Sequence, residues 1–365
     1  MLKVSSLSVD YGPSRIIHQL DLALVEDEIL MLLGPTGCGK TTILQALAGL
    51  IPIAEGTISM GQWQASPKCP VPPERRQVGM VFQDFALFPH LTVEQNAAFR
   101  LKNPAKAHHW LEIMGMSDFR KVKPGTLSGG QRQRVALART LAHEPTYVLL
   151  DEPLSNLDAA LKDSLRWEIR KALKAAAVPA IWVTHDQDEA LSIGDKVGIL
   201  NEGKLEQLAV PEACFCQPNS RFVAQFLGEA SFLPGNLDRS CVSTYLGDAP
   251  VLPTELDGGE VDVLVRPDDL AVEKMITMDP DCEGQVANSE VNTGKFHPAA
   301  RMILADSNAE VTEARYEGGT WLYTATLNIG GTVRFRTCHE TRLVVGELVR
   351  LSLCSKEPLA TFDRH

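Results

Sequence analysis

Three short apolar runs in the first part of the chain have no polar alternation: ILMLL at 29–33, YVLL at 147–150 and IWV at 181–183. Runs of this length and continuity are typical of strands that are buried on both faces of a parallel sheet. They therefore predict an α/β domain with a mostly parallel sheet, and helices are expected from about residue 40 and over 131–142. We also expect a small antiparallel β lobe near the N-terminus.

The pattern changes near residue 230. Residues 222–227 read as the end of a helix, and Gly228 is expected to stop it. Alternating apolar and polar positions then follow, with turns such as Gly330-Gly331, and they predict a small antiparallel β barrel. The expected domains are therefore 1–230 and 231–365, with an extra, loop-rich segment over about 275–308. The alternating runs are VDVLV at 261–265, WLYTATL at 321–327, TVRFR at 332–336 and LVRLSL at 348–353.

Composition and charge narrow the classes of protein. A length of 365 residues suits about two domains, and 44% hydrophobic residues are enough for packed cores. Residues 1–228 carry 23 Lys and Arg against 24 Asp and Glu, whereas residues 229–365 carry 12 against 22. An acidic second part argues against nucleic-acid binding, which favours a basic patch.

The chain has no apolar run near the roughly 20 residues that span a bilayer, and its first residues lack the apolar stretch of a signal peptide. We therefore expect a cytosolic protein that reaches membranes through partners. Its eight cysteines are then expected to be reduced thiols. Cys214 and Cys216 lack a second pair at zinc-ligand spacing, so their proximity is interpreted as coincidence.

Residues 34–42, GPTGCGKTT, follow the first buried run and predict a phosphate-binding loop. Gly34 ends the strand, and Gly37 and Gly39 let the backbone curl so that N–H groups and a helix N-terminus form an anion cradle. Lys40 is expected to reach the β- and γ-phosphates of ATP, and the Thr41 hydroxyl to bind Mg²⁺. The alternative is a glycine-rich turn that binds nothing. The remaining residues of the expected nucleotide site in this loop are Pro35, Thr36, Cys38 and Thr42.

The two later apolar runs end in polar residues. Since ligands of open parallel sheets bind at the carboxyl ends of strands, Asp151 is expected to hold the Mg²⁺ shell and Glu152 to polarise the attacking water. His185 is expected to donate a hydrogen bond to the γ-phosphate. The alternatives are an acidic strand end that caps the next helix, and a structural histidine.

The stretch LSGGQRQR at 127–134 predicts a glycine turn that opens a helix. Gly129 and Gly130 leave backbone N–H groups free at the helix start, which makes a second anion site beside Ser128 and Gln131.

With these motifs, residues 1 to about 230 resemble the ATPase subunits of ABC transporters. The resemblance implies that Tyr11 stacks on adenine and that Gln83, in VFQDFALFPHLTV, contacts Mg²⁺ and water. It also implies a helical subdomain over about 84–128, shorter than usual, and a loop after Gln83 that grips membrane subunits. Ser128, Gly129, Gly130 and Gln131 match the signature that closes on the nucleotide of the opposite subunit. Ser155-Asn156-Leu157-Asp158 matches the loop that crosses the dimer interface, although the family usually has Ala in place of Asn156.

This resemblance implies an assembly. Two copies of the chain would form an ATP sandwich and work with two transmembrane permease subunits and a periplasmic or lipoprotein solute-binding protein, at the cytoplasmic side of the inner membrane. The second domain resembles the oligonucleotide/oligosaccharide-binding-like (TOBE) domains of importer ATPases, which hold the two subunits together and can carry regulation. VRPDDL at 265–270, FLGE at 226–229 and YEGGTWLY at 316–323 are most similar to ferric-ion importer ATPases. Close relatives handle polyamines, sulfate, molybdate, thiamine or sugars.

Two other classes of protein are weighed against a transport ATPase. Soluble ABC ATPases of DNA repair or translation usually have two ATPase units or a long coiled coil, and this chain has one phosphate loop and no sustained heptads. An unrelated phosphate-loop kinase or GTPase would leave LSGGQ unexplained. Co-purification with two membrane subunits would distinguish the first class from the others.

Overall fold

The computed structural model describes residues 1–155, 157–254, 256, 258–274 and 307–364. The chain divides into two compact units, Met1–Phe215 and Cys216–His365. The domain boundary predicted at residue 230 stays a prediction. Asn156 and nearly all of the expected loop-rich segment, 275–306, lie outside the described residues.

The first unit is built around a six-stranded sheet in the order β10-β9-β3-β8-β7-β6. Neighbouring strands from β9 to β6 run parallel, and β10 pairs with β9 in antiparallel fashion. All residues of β3, β7 and β8 are buried, which explains their unbroken apolar sequences. The strands are β3 (Ile29–Leu33), β6 (Val78–Val81), β7 (Tyr147–Asp151), β8 (Ala180–Thr184), β9 (Lys196–Asn201) and β10 (Lys204–Ala209).

An antiparallel sheet of order β2-β1-β4-β5 forms the expected N-terminal lobe. The buried residues of this sheet pack in one hydrophobic core with those of α1, the helix that follows the phosphate loop. The strands are β1 (Leu2–Tyr11), β2 (Ser14–Leu24), β4 (Glu55–Met60) and β5 (Trp63–Ala65).

Helices cover the parallel sheet, and two of them, α3 and α4, lie within the stretch 84–128 where a helical insertion is predicted. No described helix combines the length and apolarity needed to cross a membrane. The helices of this part of the chain are α1 (Lys40–Ala48), α2 (Pro73–Arg76), α3 (Val93–Ala97), α4 (Ala105–Ile113), α5 (Gly129–Ala142), α6 (Ala159–Ala175), α7 (Gln187–Ile193) and α8 (Pro211–Cys216).

The first helix that lies wholly within the second unit is α9 (Arg221–Phe226). The unit contains two five-stranded antiparallel sheets, β13-β12-β11-β14-β20 and β15-β19-β16-β17-β18. Both sheets contribute side chains to one core. All four alternating runs noted in the sequence form strands, so an antiparallel β domain is confirmed. The strands are β11 (Ser231–Asp238), β12 (Cys241–Thr244), β13 (Gly247–Pro250), β14 (Gly259–Val265), β15 (Leu270–Lys274), β16 (Ala309–Tyr316), β17 (Thr320–Leu327), β18 (Thr332–Cys338), β19 (Leu348–Leu353) and β20 (Thr361–Asp363).

Candidate functional site

The loop between β3 and α1 needs glycine at both of its ends. A Cβ atom on Gly34 would lie 2.4 Å from the carbonyl oxygen of Leu200, and one on Gly39 would lie 2.4 Å from Ile17 Cδ1. Gly39 is also the N-cap of α1, with a left-handed φ of 100° that L side chains rarely adopt. The motif glycines are thus required by packing and backbone conformation. Thr36 and Gly37 are exposed at the rim of the loop, whereas Cys38 is buried beneath it.

The Lys40 side chain lies inside this loop. Its Nζ atom donates to the carbonyl oxygens of Gly34 at 2.7 Å and Pro35 at 2.9 Å, and the residue is only 6% exposed. Cys38 Sγ is 3.9 Å from the same nitrogen. Burial raises the pKa of the Cys38 thiol, although the Lys40 charge opposes the shift. The loop therefore holds a positive charge at the N-terminus of α1, where the helix dipole also favours an anion.

Thr41 and Asp151 meet at the end of β7. Thr41 Oγ1 donates to Asp151 Oδ1 at 3.1 Å, which joins the first turn of α1 to the neighbouring carboxylate. Burial raises the pKa of the Asp151 carboxyl, and the Thr41 hydrogen bond offsets part of the rise. A hydroxyl and a carboxylate oxygen at this separation are the hard donors that Mg²⁺ prefers.

Glu152 and His185 lie beside one another because β7 and β8 are parallel neighbours in register, with Asp151 opposite Val183. Glu152 Oε2 is 3.3 Å from His185 Nδ1, and the two side chains are 24% and 54% exposed. The φ of Glu152 is 43°, a left-handed value, and its N–H donates to Val183 O at 3.1 Å. The carboxylate of Glu152 and the imidazole of His185 therefore lie side by side where the neighbouring strands β7 and β8 end.

Two buried residues that sequence reasoning missed, Thr184 and Glu189, form hydrogen bonds with Asp186, the residue that follows His185. Thr184 is buried, and its Oγ1 accepts a 3.0 Å hydrogen bond from Asp186 N. Glu189 is 3% exposed, and its N–H donates to Asp186 Oδ1 at 3.2 Å, which caps α7. Burial raises the pKa of Glu189, and a hydrogen bond with Thr184 opposes that shift. The N-cap pattern Asp186-x-x-Glu189 was the available signal.

Gln83 follows β6 at the same edge of the sheet. Its Nε2 atom donates to Ser155 Oγ at 3.2 Å, and Ser155 Oγ donates to the carbonyl oxygen of Glu152 at 2.9 Å. Gln83 is therefore linked through one hydroxyl to the segment that carries Asp151 and Glu152.

The LSGGQ stretch forms the start of α5. Ser128 and Gln131 make a reciprocal capping box, since Ser128 Oγ accepts from Gln131 N at 3.3 Å and Gln131 Oε1 accepts from Ser128 N at 2.9 Å. Gly130 is buried, and a Cβ atom there would lie 2.8 Å from Leu161 Cδ2. Gly129 begins the helix, two residues earlier than predicted.

The remaining predicted residues lie at chain turns. Tyr11 ends β1 and is 78% exposed, and its expected stacking on adenine stays a prediction. Asp158 is the exposed N-cap of α6 and makes no side-chain capping bond. Thr42 lies in the first turn of α1, partly buried.

The geometry thus brings Lys40, Thr41, Asp151, Glu152 and Gln83 to one edge of the sheet, with His185 against Glu152. The donor types fit a polyphosphate and a hard divalent cation: a lysine at a helix N-terminus for phosphate, and a hydroxyl beside a carboxylate for the metal. Ser128 and Gln131 direct their capping bonds to each other, at the start of a separate helix.

Comparison with known proteins identifies the family of this chain. The sequence profile of the family described as ABC transporter matches residues 17–155. The chain is 36% identical over 289 residues to the Fe(3+) ions import ATP-binding protein FbpC of Fusobacterium nucleatum, covering 76% of this chain and 77% of that relative. It is 36% identical over 308 residues to the spermidine/putrescine import ATP-binding protein PotA of Marinobacter nauticus, covering 80% of each. Fe(3+) ions import ATP-binding protein FbpC 2 of Rhizobium meliloti is 43% identical over 233 residues, 62% of this chain and 58% of the relative.

Such identity extends well beyond the matched profile and covers most of two relatives, so it applies to the chain as a whole and not to its phosphate loop alone. The chain therefore belongs to the ATP-binding proteins of the ABC transporter family, and it is an ATPase of the kind found in importers.

Proposed function

We propose that this chain hydrolyses ATP to drive the import of ferric iron across the cytoplasmic membrane. The observation that carries the proposal is the meeting of Lys40, the Thr41–Asp151 pair and the Glu152–His185 pair at one edge of the sheet. Similarity to Fe(3+) import proteins supports the choice of solute.

Lys40 binds the β- and γ-phosphates in this proposal. Its ammonium group exchanges the carbonyl oxygens of Gly34 and Pro35 for phosphate oxygens, which carry full charge and make stronger hydrogen bonds. Thr41, Asp151 and Gln83 would hold Mg²⁺, which would supply positive charge to offset the charge of the phosphates during transfer.

Glu152 accepts a proton from the attacking water. Its carboxylate is partly exposed and lies against His185, whose ring orients it and donates to the γ-phosphate. The left-handed backbone at Glu152 keeps the side chain at the strand end. Gln83 orients the same water, and the Ser155 hydroxyl links the Gln83 side chain to the Glu152 backbone.

Two copies of the chain complete the site. Ser128, Gly129, Gly130 and Gln131 bind the γ-phosphate held by the other copy, because the start of α5 is a second helix N-terminus with its own anion preference. Asp158 lies at the interface between the copies, and Tyr11 stacks on adenine. A head-to-tail dimer of this kind has two-fold symmetry.

The assembly also includes two transmembrane permease subunits, which the loop after Gln83 contacts, and a periplasmic or lipoprotein solute-binding protein. The ATPase lies peripherally at the cytoplasmic side of the inner membrane. The second unit acts as an oligonucleotide/oligosaccharide-binding-like (TOBE) barrel that holds the two copies together; its shared antiparallel core supports this assignment.

A polyamine is the second candidate solute, because the chain matches a spermidine/putrescine import protein over 80% of both sequences. The similar proteins are ATP-binding proteins, whereas the solute contacts the permease. Sequence similarity therefore cannot choose between iron and a polyamine, and a measurement of uptake is needed.

The test is uptake of labelled ferric iron and spermidine in cells that lack this chain. We expect selective loss of iron uptake, restored by the wild type and not by Glu152→Gln. Loss of spermidine uptake alone would keep the ATPase role and replace the solute. Unchanged uptake of both, with sulfate, molybdate, thiamine and sugars also unaffected, would favour a soluble ABC ATPase.

A further inference from the structure

The loop after Gln83 contains two consecutive residues with left-handed backbone. Phe85 has a φ of 65° and Ala86 a φ of 44°. This conformation is unfavourable for residues with a Cβ atom and persists where surrounding contacts hold it. The contacts that hold it here come from the signature helix α5.

Arg139, near the end of α5, forms hydrogen bonds with the backbone of this turn. Its Nη1 atom donates to Ala86 O at 2.7 Å and its Nη2 atom to Phe85 O at 3.1 Å, so one planar guanidinium binds both left-handed residues. The Arg139 Cζ atom also lies 5.9 Å from the centre of the Phe88 ring. From one face of the same helix, the Arg132 Cζ atom lies 5.6 Å from the Phe85 ring.

Arg139 is a costly choice for a purely structural contact. Burial lowers its pKa, and its acceptors in this turn are neutral main-chain carbonyls. A buried cation loses hydration that carbonyl oxygens replace only in part. This cost is explained if the two donor nitrogens of the guanidinium are needed to hold the left-handed backbone of Phe85 and Ala86.

The neighbouring contacts make the turn a stiff connection. Strand β6, which leads into Gln83, packs closely on α5, since a Cβ atom on Gly79 would lie 2.5 Å from Thr140 Cγ2. At the far end of the loop, the fully buried Asn96 side chain accepts from Phe88 N at 2.8 Å and donates to Phe88 O at 3.1 Å.

We propose that Arg139 is a positioning residue for hydrolysis. It couples the position of the Gln83 side chain to the position of helix α5. The physical connection runs from Arg139 to the turn at Phe85 and Ala86, and then from Gln83 through Ser155 to the Glu152 backbone. Since Ser128 opens the same helix, closure of the signature on a nucleotide is relayed to the water-orienting side chain. This inference rests on the proposed roles of Gln83 and Ser128.

The test measures steady-state ATP hydrolysis by the full chain carrying Arg139→Lys. Lysine keeps the charge but cannot bind both carbonyls in one plane. We expect kcat to fall about 10- to 100-fold, as a misplaced catalytic group does. KM for ATP should change less than about 2-fold, because the phosphate loop is untouched.

The matched control is Arg134→Lys on the same helix. Arg134 is paired with Glu168 at 2.8 Å and has no part in the turn, so the control loosens α5 without touching the loop. We expect its kcat to stay within about 2-fold of wild type. An equal fall in both variants would mean that general loosening of the helix is responsible, and would overturn the inference.

A second variant tests the mechanism directly. Ala86→Gly removes the cost of the left-handed φ, so it should raise the kcat of Arg139→Lys by about 3- to 10-fold while changing wild type by less than about 2-fold. Should Arg139→Lys not fold, the double variant is compared with Ala86→Gly alone. Unchanged kcat, a rise in KM alone, or absence of rescue would each overturn the inference. Inactivity of the wild type would instead overturn the proposed function.

Discussion

At the scale of single residues, the phosphate loop depends on one buried charge. Lys40 is held by two carbonyl oxygens of its own loop and lies at the positive end of α1. A bound phosphate would be stabilised both by the full positive charge of this ammonium and by the partial positive charge of the helix N-terminus.

Removing this charge should therefore weaken nucleotide binding. We expect Lys40→Ala to raise the Kd for ATP about 10- to 100-fold, the value of one or two hydrogen bonds to charged groups. Isothermal titration of the full chain with Mg·ATP measures it. Lys68→Ala, at an exposed position, is the control. An unchanged Kd for Lys40→Ala would contradict the proposed phosphate site.

Cys38 offers a test with pH. Burial raises the pKa of its thiol, and only the thiolate reacts with a maleimide. Because the thiolate forms as pH rises through the pKa, the rate should be low at pH 7 and should still increase above about pH 8.5, the ordinary value for cysteine. Saturating ATP should block the reaction, and modification should abolish ATP binding. Mass spectrometry distinguishes it from exposed Cys69. Rapid modification of Cys38 at pH 7 that ATP leaves unaffected would contradict this prediction.

The motif residues of the site could be predicted from the sequence, whereas Arg139 could not. Lys40, Thr41, Asp151 and Glu152 were recognisable because their spacing follows buried apolar strands. Arg139 was not, since a charged residue in a helix is usually solvated. The role proposed for Arg139 depends on carbonyl oxygens more than fifty positions away in the chain, and main-chain acceptors cannot be recognised from a sequence.

At the scale of elements, the phosphate-loop helix is held at both ends. Its start is the left-handed Gly39, and its last turn receives hydrogen bonds from buried Arg76, which donates to Ala46 O and Leu47 O at 2.7 Å. Tyr147 Oη also donates to Leu47 O, at 2.9 Å. A cation and a hydroxyl at a helix C-terminus satisfy carbonyls that otherwise lack partners.

The parallel sheet is tied to its helices by Asp195, which precedes β9. Its carboxylate accepts from Ile29 N at 2.8 Å, Arg170 Nη2 at 2.9 Å and Lys174 Nζ at 2.9 Å. Burial alone would raise the pKa of Asp195, but these hydrogen bonds hold it below the usual value. One side chain thereby joins β3, α6 and β9.

Asp195→Asn should lower the free energy of unfolding by about 1–3 kcal/mol at pH 7, the value of hydrogen bonds to a partly buried charge. The lowered pKa means that this stability is present above the unfolded-state pKa of about 3.9 and is lost as pH falls through the native value. The difference from wild type should therefore shrink below about pH 4.

Urea unfolding followed by tryptophan fluorescence measures this difference, since Trp182 is fully buried in β8. Asp163→Asn is the control, because Asp163 is 72% exposed and pairs with Arg166 on the surface. The control should cost less than about 0.5 kcal/mol. A difference between Asp195→Asn and wild type that persists at low pH would contradict the ionic origin.

Strands were easier to predict than the sheets they form. Runs at 29–33 and 348–353 match β3 and β19 because burial and alternation are local properties. Pairing is not local: β20 adds to β14 across nearly a hundred residues, and β19 lies between β15 and β16. An alternating pattern therefore predicted an antiparallel β domain, while its arrangement as two sheets sharing a core needed the structure.

At the scale of the whole molecule, the capping box of α5 leaves the first-turn N–H groups of Gly129 and Gly130 without partners in that box. Ser128 is exposed. Among the described residues, its side-chain oxygen accepts a hydrogen bond only from Gln131 N, within the capping box. A helix start built in this way suits a phosphate supplied from outside the subunit. This is the property that the proposed sandwich requires, in which each copy would supply a phosphate loop to one nucleotide and a signature to the other.

This arrangement makes a prediction that separates binding from assembly. Glu152→Gln should bind Mg·ATP with a Kd within about 2-fold of wild type, hydrolyse it at least about 100-fold more slowly, and accumulate as a dimer. Adding Ser128→Arg should leave the Kd unchanged, because the phosphate loop of the same copy is intact. It should also keep the protein monomeric, because the new side chain occupies the place of the facing phosphate.

Light scattering at saturating ATP measures the molar mass of each variant. The same substitution at exposed Ser117 should leave the dimer in place, since Ser117 lies in the turn after α4. A dimer that survives Ser128→Arg, or an ATP affinity that falls with it, would mean that the signature contacts the nucleotide of its own subunit or none at all.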